Sequence, residues 1–136
     1  MLFLVRCFPD FFMPGKTHYK LYESILNLDP KVRFVAILNL QGNLVHKGHR
    51  REIQSYLDSL DQMTSVQHAL ESWHLRSQYV DQIGLTKYAM AIYEKIRRYT
   101  VPIGQTHLLY ITTEPDISHE AFIQDVLNLV EKHKKE

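Results

Sequence analysis

The chain has one cysteine, Cys7, in 136 residues. That excludes an internal disulfide framework and any zinc site built on thiolates. Five glycines leave little material for a glycine-rich phosphate loop, and no G-x-S-x-G nucleophile elbow occurs. The eight histidines include no H-E-x-x-H zinc pattern. Net charge is +1 with histidine neutral, so no global field draws nucleic acid or an anionic membrane. Long apolar runs are missing as well. The most apolar stretch, MLFLVRCFPDFFM, is too short to span a bilayer as a helix. It is also a poor signal peptide, since Asp10 interrupts it and no small-residue cleavage site follows. Residues 1–16 read as an apolar N-terminal extension, expected to be flexible, with a peripheral anchor as the competing reading. Met13, before the Pro14-Gly15 break, reads as an alternative start.

What is present describes one ordinary domain, placed at residues 17–136. Hydrophobic residues make up 45 % and charged residues 23 %, enough for a single core. Thr17 reads as an N-cap, followed by Tyr19, Tyr22, Ile25 and Leu26 at helical spacing and a stop at Asp29-Pro30. Lys31 to Leu40 is rich in Val, Ile, Leu and Phe, which marks a central strand with both faces apolar. Val32, Phe34, Ala36 and Leu38 share one face, Val35 and Ile37 the other. Gln41-Gly42-Asn43 signals a turn into a return strand from Leu44, ending near Lys47-Gly48. Glu52 to Ile83 reads as one long helix with a bend near Asp58 to Asp61. Its stripe is Ile53, Tyr56, Leu57, Leu60, Met63, Val66, Leu70, Trp73, Val80 and Ile83, and Gly84 ends it.

The next stretch, LTKYAMAIYEKIRRYTVPIGQTHLLYITT, reads as three strands with turns at Glu94-Lys95 and Gly104-Gln105. Pro102 belongs at a strand end or edge, because it has no N–H for a ladder. A last helix follows Asp116 or Ser118. The order α-β-β-α-β-β-β-α predicts an α+β fold: a five-stranded antiparallel sheet with the long helix on one face.

That order resembles roadblock / dynein light chain domains and, more loosely, profilin-like domains. The residues are similar to a family of small archaeal proteins, mainly from ammonia-oxidising Thaumarchaeota. The likeness rests on Arg33-Phe34, Gly42, Leu44-Val45 and the YEKIRRYTVP core from Tyr93 to Pro102. It covers roughly Thr17 to Val130 and labels a family without labelling a reaction. The roadblock resemblance implies a dimeric adaptor, a homodimer that also meets an unidentified protein partner, a small GTPase-like protein among the candidates.

No cofactor is implied, and no catalytic residue stands out. The leading reading is therefore a non-enzymatic interaction module in the cytoplasm, with no nucleic-acid partner and no integral membrane association. Val66, Leu70 and Trp73 on the long helix, with Arg97 and Tyr99 on the sheet, are the candidate pairing residues. Strand addition at a sheet edge is the alternative route. Arg97 and Arg98 must point to opposite faces, and edge protection is their plain explanation. Thr100, His107, Tyr110 and Thr112 would line the pocket of a small-molecule sensor. His46 and His49, three apart, are the candidate ligands of a metal-binding protein or enzyme. Tyr88, Tyr93, Tyr99 and Tyr110 invite comparison with RNA-stacking sheets, but half-buried packing is the plainer reading.

Overall fold

Nine elements make up the computed structural model, which describes residues 18–134. They are α1 (Tyr19–Leu26), β1 (Val32–Asn39), β2 (Leu44–His49), α2 (Ser59–Ser77), α3 (Val80–Ile83), β3 (Ala89–Ile92), β4 (Arg97–Ile103), β5 (His107–Thr113) and α4 (His119–Lys134). The five strands form one sheet in the order β2-β1-β5-β4-β3, every pairing antiparallel. This is the expected α+β architecture. The expectations for residues 1–16 and for Thr17 as a cap lie outside the described residues.

The two sheet faces carry separate cores. On one, α2 lays Val66, Ala69, Leu70 and Trp73 against Phe34, Ala36, Leu38, Leu108 and Tyr110. On the other, α1 and α4 bring Leu21, Ile25, Phe122, Val126 and Val130 against Val35, Ile37, Tyr99, Val101, Leu109 and Ile111. β1 and β5 are sandwiched, which explains their unbroken apolar runs. Each fully buried aliphatic side chain there contributes about 1.5–3 kcal/mol. The Tyr110 hydroxyl, taken out of water, is matched by Ser65 Oγ at 2.9 Å and Gln62 Nε2 at 3.4 Å.

Val32 departs from the simple alternation. It packs with Val35 and Ile37 rather than with Phe34. Val32 pairs with Thr113 and Phe34 with Thr112, so Arg33 is one residue too many. This bulge turns Val32 to the opposite face.

The long helix is also shorter than its pattern. Residues 50–58 are irregular, and α2 starts only at Ser59. Asp58 is its cap, its side chain accepting the Asp61 N–H at 2.8 Å. Arg33 holds the preceding loop by donating to the Gln54 carbonyl at 2.8 Å, with its guanidinium 4.3 Å from the Tyr56 ring centre. Tyr56, Leu57 and Leu60 are exposed in consequence. At the other end α2 stops at Ser77, and α3 leaves Ile83 in water. Gly84 closes α3 at φ +89°, a backbone region that glycine enters at no cost.

Candidate functional site

The sheet has two edges, and they are built differently. β2 carries Lys47 and a second bulge: Ile37 faces His46 while Leu38 faces Leu44, leaving Val45 over. On the α1 face of β2, Tyr22 lies so close to Gly48 that a Cβ there would overlap its hydroxyl. Charge and irregular pairing are usual ways of closing a sheet edge. β3 has neither. Its sequence is Ala-Met-Ala-Ile, straight and uncharged, paired to β4 only from Arg97 to Thr100. Met90, Ile92 and the adjoining Tyr93 are exposed.

The helix layer above this edge is too narrow for the sheet. The α2 core touches β1 and β5. Over β4 and β3 the same face offers Ala89, Ala91, Thr100 and Arg98, bordered by Ser72 and Arg76 of α2. Arg98 reaches across to Ser65 Oγ at 3.3 Å. The result is a shelf of small side chains beside a helix that also exposes Leu60 and Leu75.

Val66, Leu70 and Trp73 do not contribute to that surface. They are 0 %, 6 % and 7 % exposed and are used inside the chain. Any pairing surface on α2 has to use its outward residues. Tyr99 is fully buried on the α4 side, its hydroxyl 3.2 Å from His119 Nδ1. Arg97 and Arg98 do reach opposite faces, Arg97 towards the Ile117 carbonyl. They sit on β4, one strand in from the edge, so edge protection is not their role. With Tyr99 and Tyr110 buried, neither ring offers a base a stacking surface.

The sensor and metal candidates are dispersed. Thr100 and Tyr110 each border a hollow of about 30 Å³, room for one water. Thr112 shares the second of these. His107 lines a much larger cleft at the end of the sheet. His46 and His49 part company: His46 stacks on Tyr22 on the α1 side, while His49 lies on Phe34 of the α2 core. Among the described residues no three His, Cys, Asp or Glu side chains converge as a metal site.

Spacing alone hides one cluster. His18, at the start of α1, meets His133 of α4, with Nδ1 and Nε2 2.6 Å apart, and its ring centre lies 4.4 Å from that of His107. The three are far apart in sequence, so only the fold brings them together. Burial first, then the positive fields of His107, His133 and His46, pushes the His18 pKa from 6.5 down to about 4. The unfolded chain then takes up the proton first as pH drops. The stabilisation from this site is complete above 6.5 and is lost between 6.5 and about 4. His18 is half-exposed, and solvent screening reduces the loss to about 1 kcal/mol. Thermal melts across this window should show wild type losing stability faster than His18→Asn, which keeps the left-handed backbone. Parallel curves would remove the cluster as the cause.

Solved structures of low sequence identity share this fold. A roadblock/LC7 domain from Streptomyces avermitilis superposes with a TM-score of 0.68 at 11 % identity, over 85 % of this chain and 93 % of that one. The gliding protein MglB from Thermus thermophilus gives 0.68 at 9 % identity, covering 90 % and 91 %. MglB from Myxococcus xanthus gives 0.65 at 12 %, covering 86 % and 96 %. No curated protein matches the chain in sequence. The model of DUF6659, a family of unknown function, matches residues 16–136, and the protein belongs to that family.

Proposed function

We propose that the protein is a non-enzymatic interaction and regulatory module that works as a homodimer, pairing through β3. The observation that carries this reading is the unguarded edge beside an under-covered shelf. A second copy related by a two-fold axis would continue the sheet antiparallel across β3. Its α2 would lie beside the first over Ala89 and Ala91. Small side chains on the shelf suit close helix approach, and the exposed Leu75, next to Arg76, would leave water. The fold likeness to roadblock domains supports a further protein partner, a small GTPase-like protein being the expected class, in the cytoplasm of an archaeal host. No helix among the described residues is long and apolar enough to cross a membrane.

Light scattering on the full chain tests the pairing. The expected mass is twice 16.1 kDa. A species of 16.1 kDa persisting at high micromolar concentration would remove the dimer. Affinity purification from the host with mass spectrometry tests the partner class, and recovery of no small GTPase-like protein would count against it.

A further inference from the structure

A broad hollow among the described residues lies where β3 falls short of β4. Val101 to Ile103 pair with β5 but have no β3 partner. Pro102 offers no N–H to that open side. The chain between α3 and β3 crosses the gap without pairing, and beneath it is a cleft of about 790 Å³. That is within the range of ligand sites, which are mostly apolar with a few placed polar groups. Trp73, Val101, Leu127 and Val130 form its apolar walls. Ile83 and Leu85 stand at its mouth, 83 % and 72 % exposed.

The charges around it are unequal. Among the described residues, Lys87 and Lys134 line the cleft against a single carboxylate, Glu131. Glu131 lies 3.6 Å from Lys134, which leaves Lys87 as the excess cation of the lining. No arginine among the described residues lines the cleft, so none of them offers a compact phosphate a forked donor there. An apolar trough with one excess cation suits a chain that is greasy along its length and negative at one end.

We propose that this cleft binds a single-chain aliphatic carboxylate, its chain along Trp73 and Val130 and its head group at Lys87. The segment from α3 to Leu85 is the strap that closes over it. Gly84 is the hinge: its φ is +89° and nothing lies within 4 Å of where a Cβ would be. Closure would take Ile83 and Leu85 out of water, which gives their exposure in the open form a purpose. The proposal stands apart from the β3 dimer and does not depend on it.

Trp73 is the only tryptophan and sits in the cleft wall, so its emission reports occupancy directly. The full chain would be titrated with dodecanoate below its micelle concentration, with dodecanol and dodecyltrimethylammonium as head-group controls. A saturable emission change is expected, with dodecanoate about fivefold tighter than the alcohol, the return from one partly exposed ion pair. Lys87→Glu should abolish that preference while leaving alcohol binding. Ile83→Ser/Leu85→Ser should weaken all chain binding about tenfold, through the lost apolar contact. Absence of a saturable change overturns the proposal. So does tighter binding of the cationic amphiphile, or a carboxylate preference that survives Lys87→Glu. If a second copy occupies the cleft, Ile83→Ser/Leu85→Ser will shift the oligomeric state and dodecanoate will not bind, which also overturns it.

Discussion

Substituting lysine for Ala91 is expected to turn a dimer into a folded monomer. Ala91 pairs with Arg98 on β3, half-buried on the shelf next to Arg76. A lysine there would occupy the space a second α2 needs and add charge beside two arginines. In an isolated chain its side chain escapes to solvent, so stability should change by no more than about 0.5 kcal/mol. In a two-fold assembly the insult occurs twice at the same seam. The dissociation constant should rise about a hundredfold or more, the equivalent of roughly 2.7 kcal/mol. Sedimentation equilibrium on wild type and Ala91→Lys reads this directly. The melting temperature of wild type should depend on protein concentration and that of the variant should not. A variant that stays dimeric, with wild-type melting, would place the contact elsewhere. One that unfolds would point to β3 as part of the protomer core, and Ile92→Lys, on the opposite and exposed side of the strand, would then be the cleaner probe.

The second large effect is expected at Arg33. Its side chain is 9 % exposed and donates to Glu114 Oε2 at 2.8 Å. The same guanidinium donates to the Gln54 carbonyl and covers Tyr56. Arg33→Met should cost about 3 kcal/mol, because it strands a carboxylate that was paired away from water. Glu114 is 29 % exposed, which keeps the figure at the low end for a buried pair. The double change Arg33→Met/Glu114→Met should recover most of the loss, since two apolar groups leave no charge uncompensated. Urea midpoints measure both. Hydrogen exchange should rise selectively around Gln54 to Leu57, the loop that Arg33 anchors. A single variant within about 0.5 kcal/mol of wild type would reduce the pair to a surface contact.

That same residue shows where reading from sequence alone runs out. The strands were legible because their alternation and turn residues are local signals: Gly42 and Gly104 both take positive φ where turns were expected. Arg33 creates a bulge, and a bulge is set by which partner strand offers which register. Nothing within Lys31 to Leu40 announces that Val32 will change sides. The helix from Glu52 failed for a related reason. Ile53, Tyr56, Leu57 and Leu60 have helical spacing, but the Asp58 cap and the hold of Arg33 on Gln54 outweigh a stripe with no sheet beneath it. Val66, Leu70 and Trp73 were rightly seen as one apolar face, yet periodicity does not say whether that face meets its own sheet or a neighbour. The cluster of His18, His107 and His133 joins three remote elements and leaves no mark on local spacing. The β3–β4 mismatch that opens the cleft is visible only once the ladder is counted.

The two edges of this sheet also decide how large an assembly can become. A strand that can recruit another at both borders propagates, and repetition of that step yields fibres. Here the Ala-Met-Ala-Ile border is regular and uncharged, while the Lys47 border is bulged and charged. Two copies meeting border to border would use up both regular borders. The proposed ten-stranded product would present only the two β2 borders, and further growth would have to overcome the bulge and the lysine there.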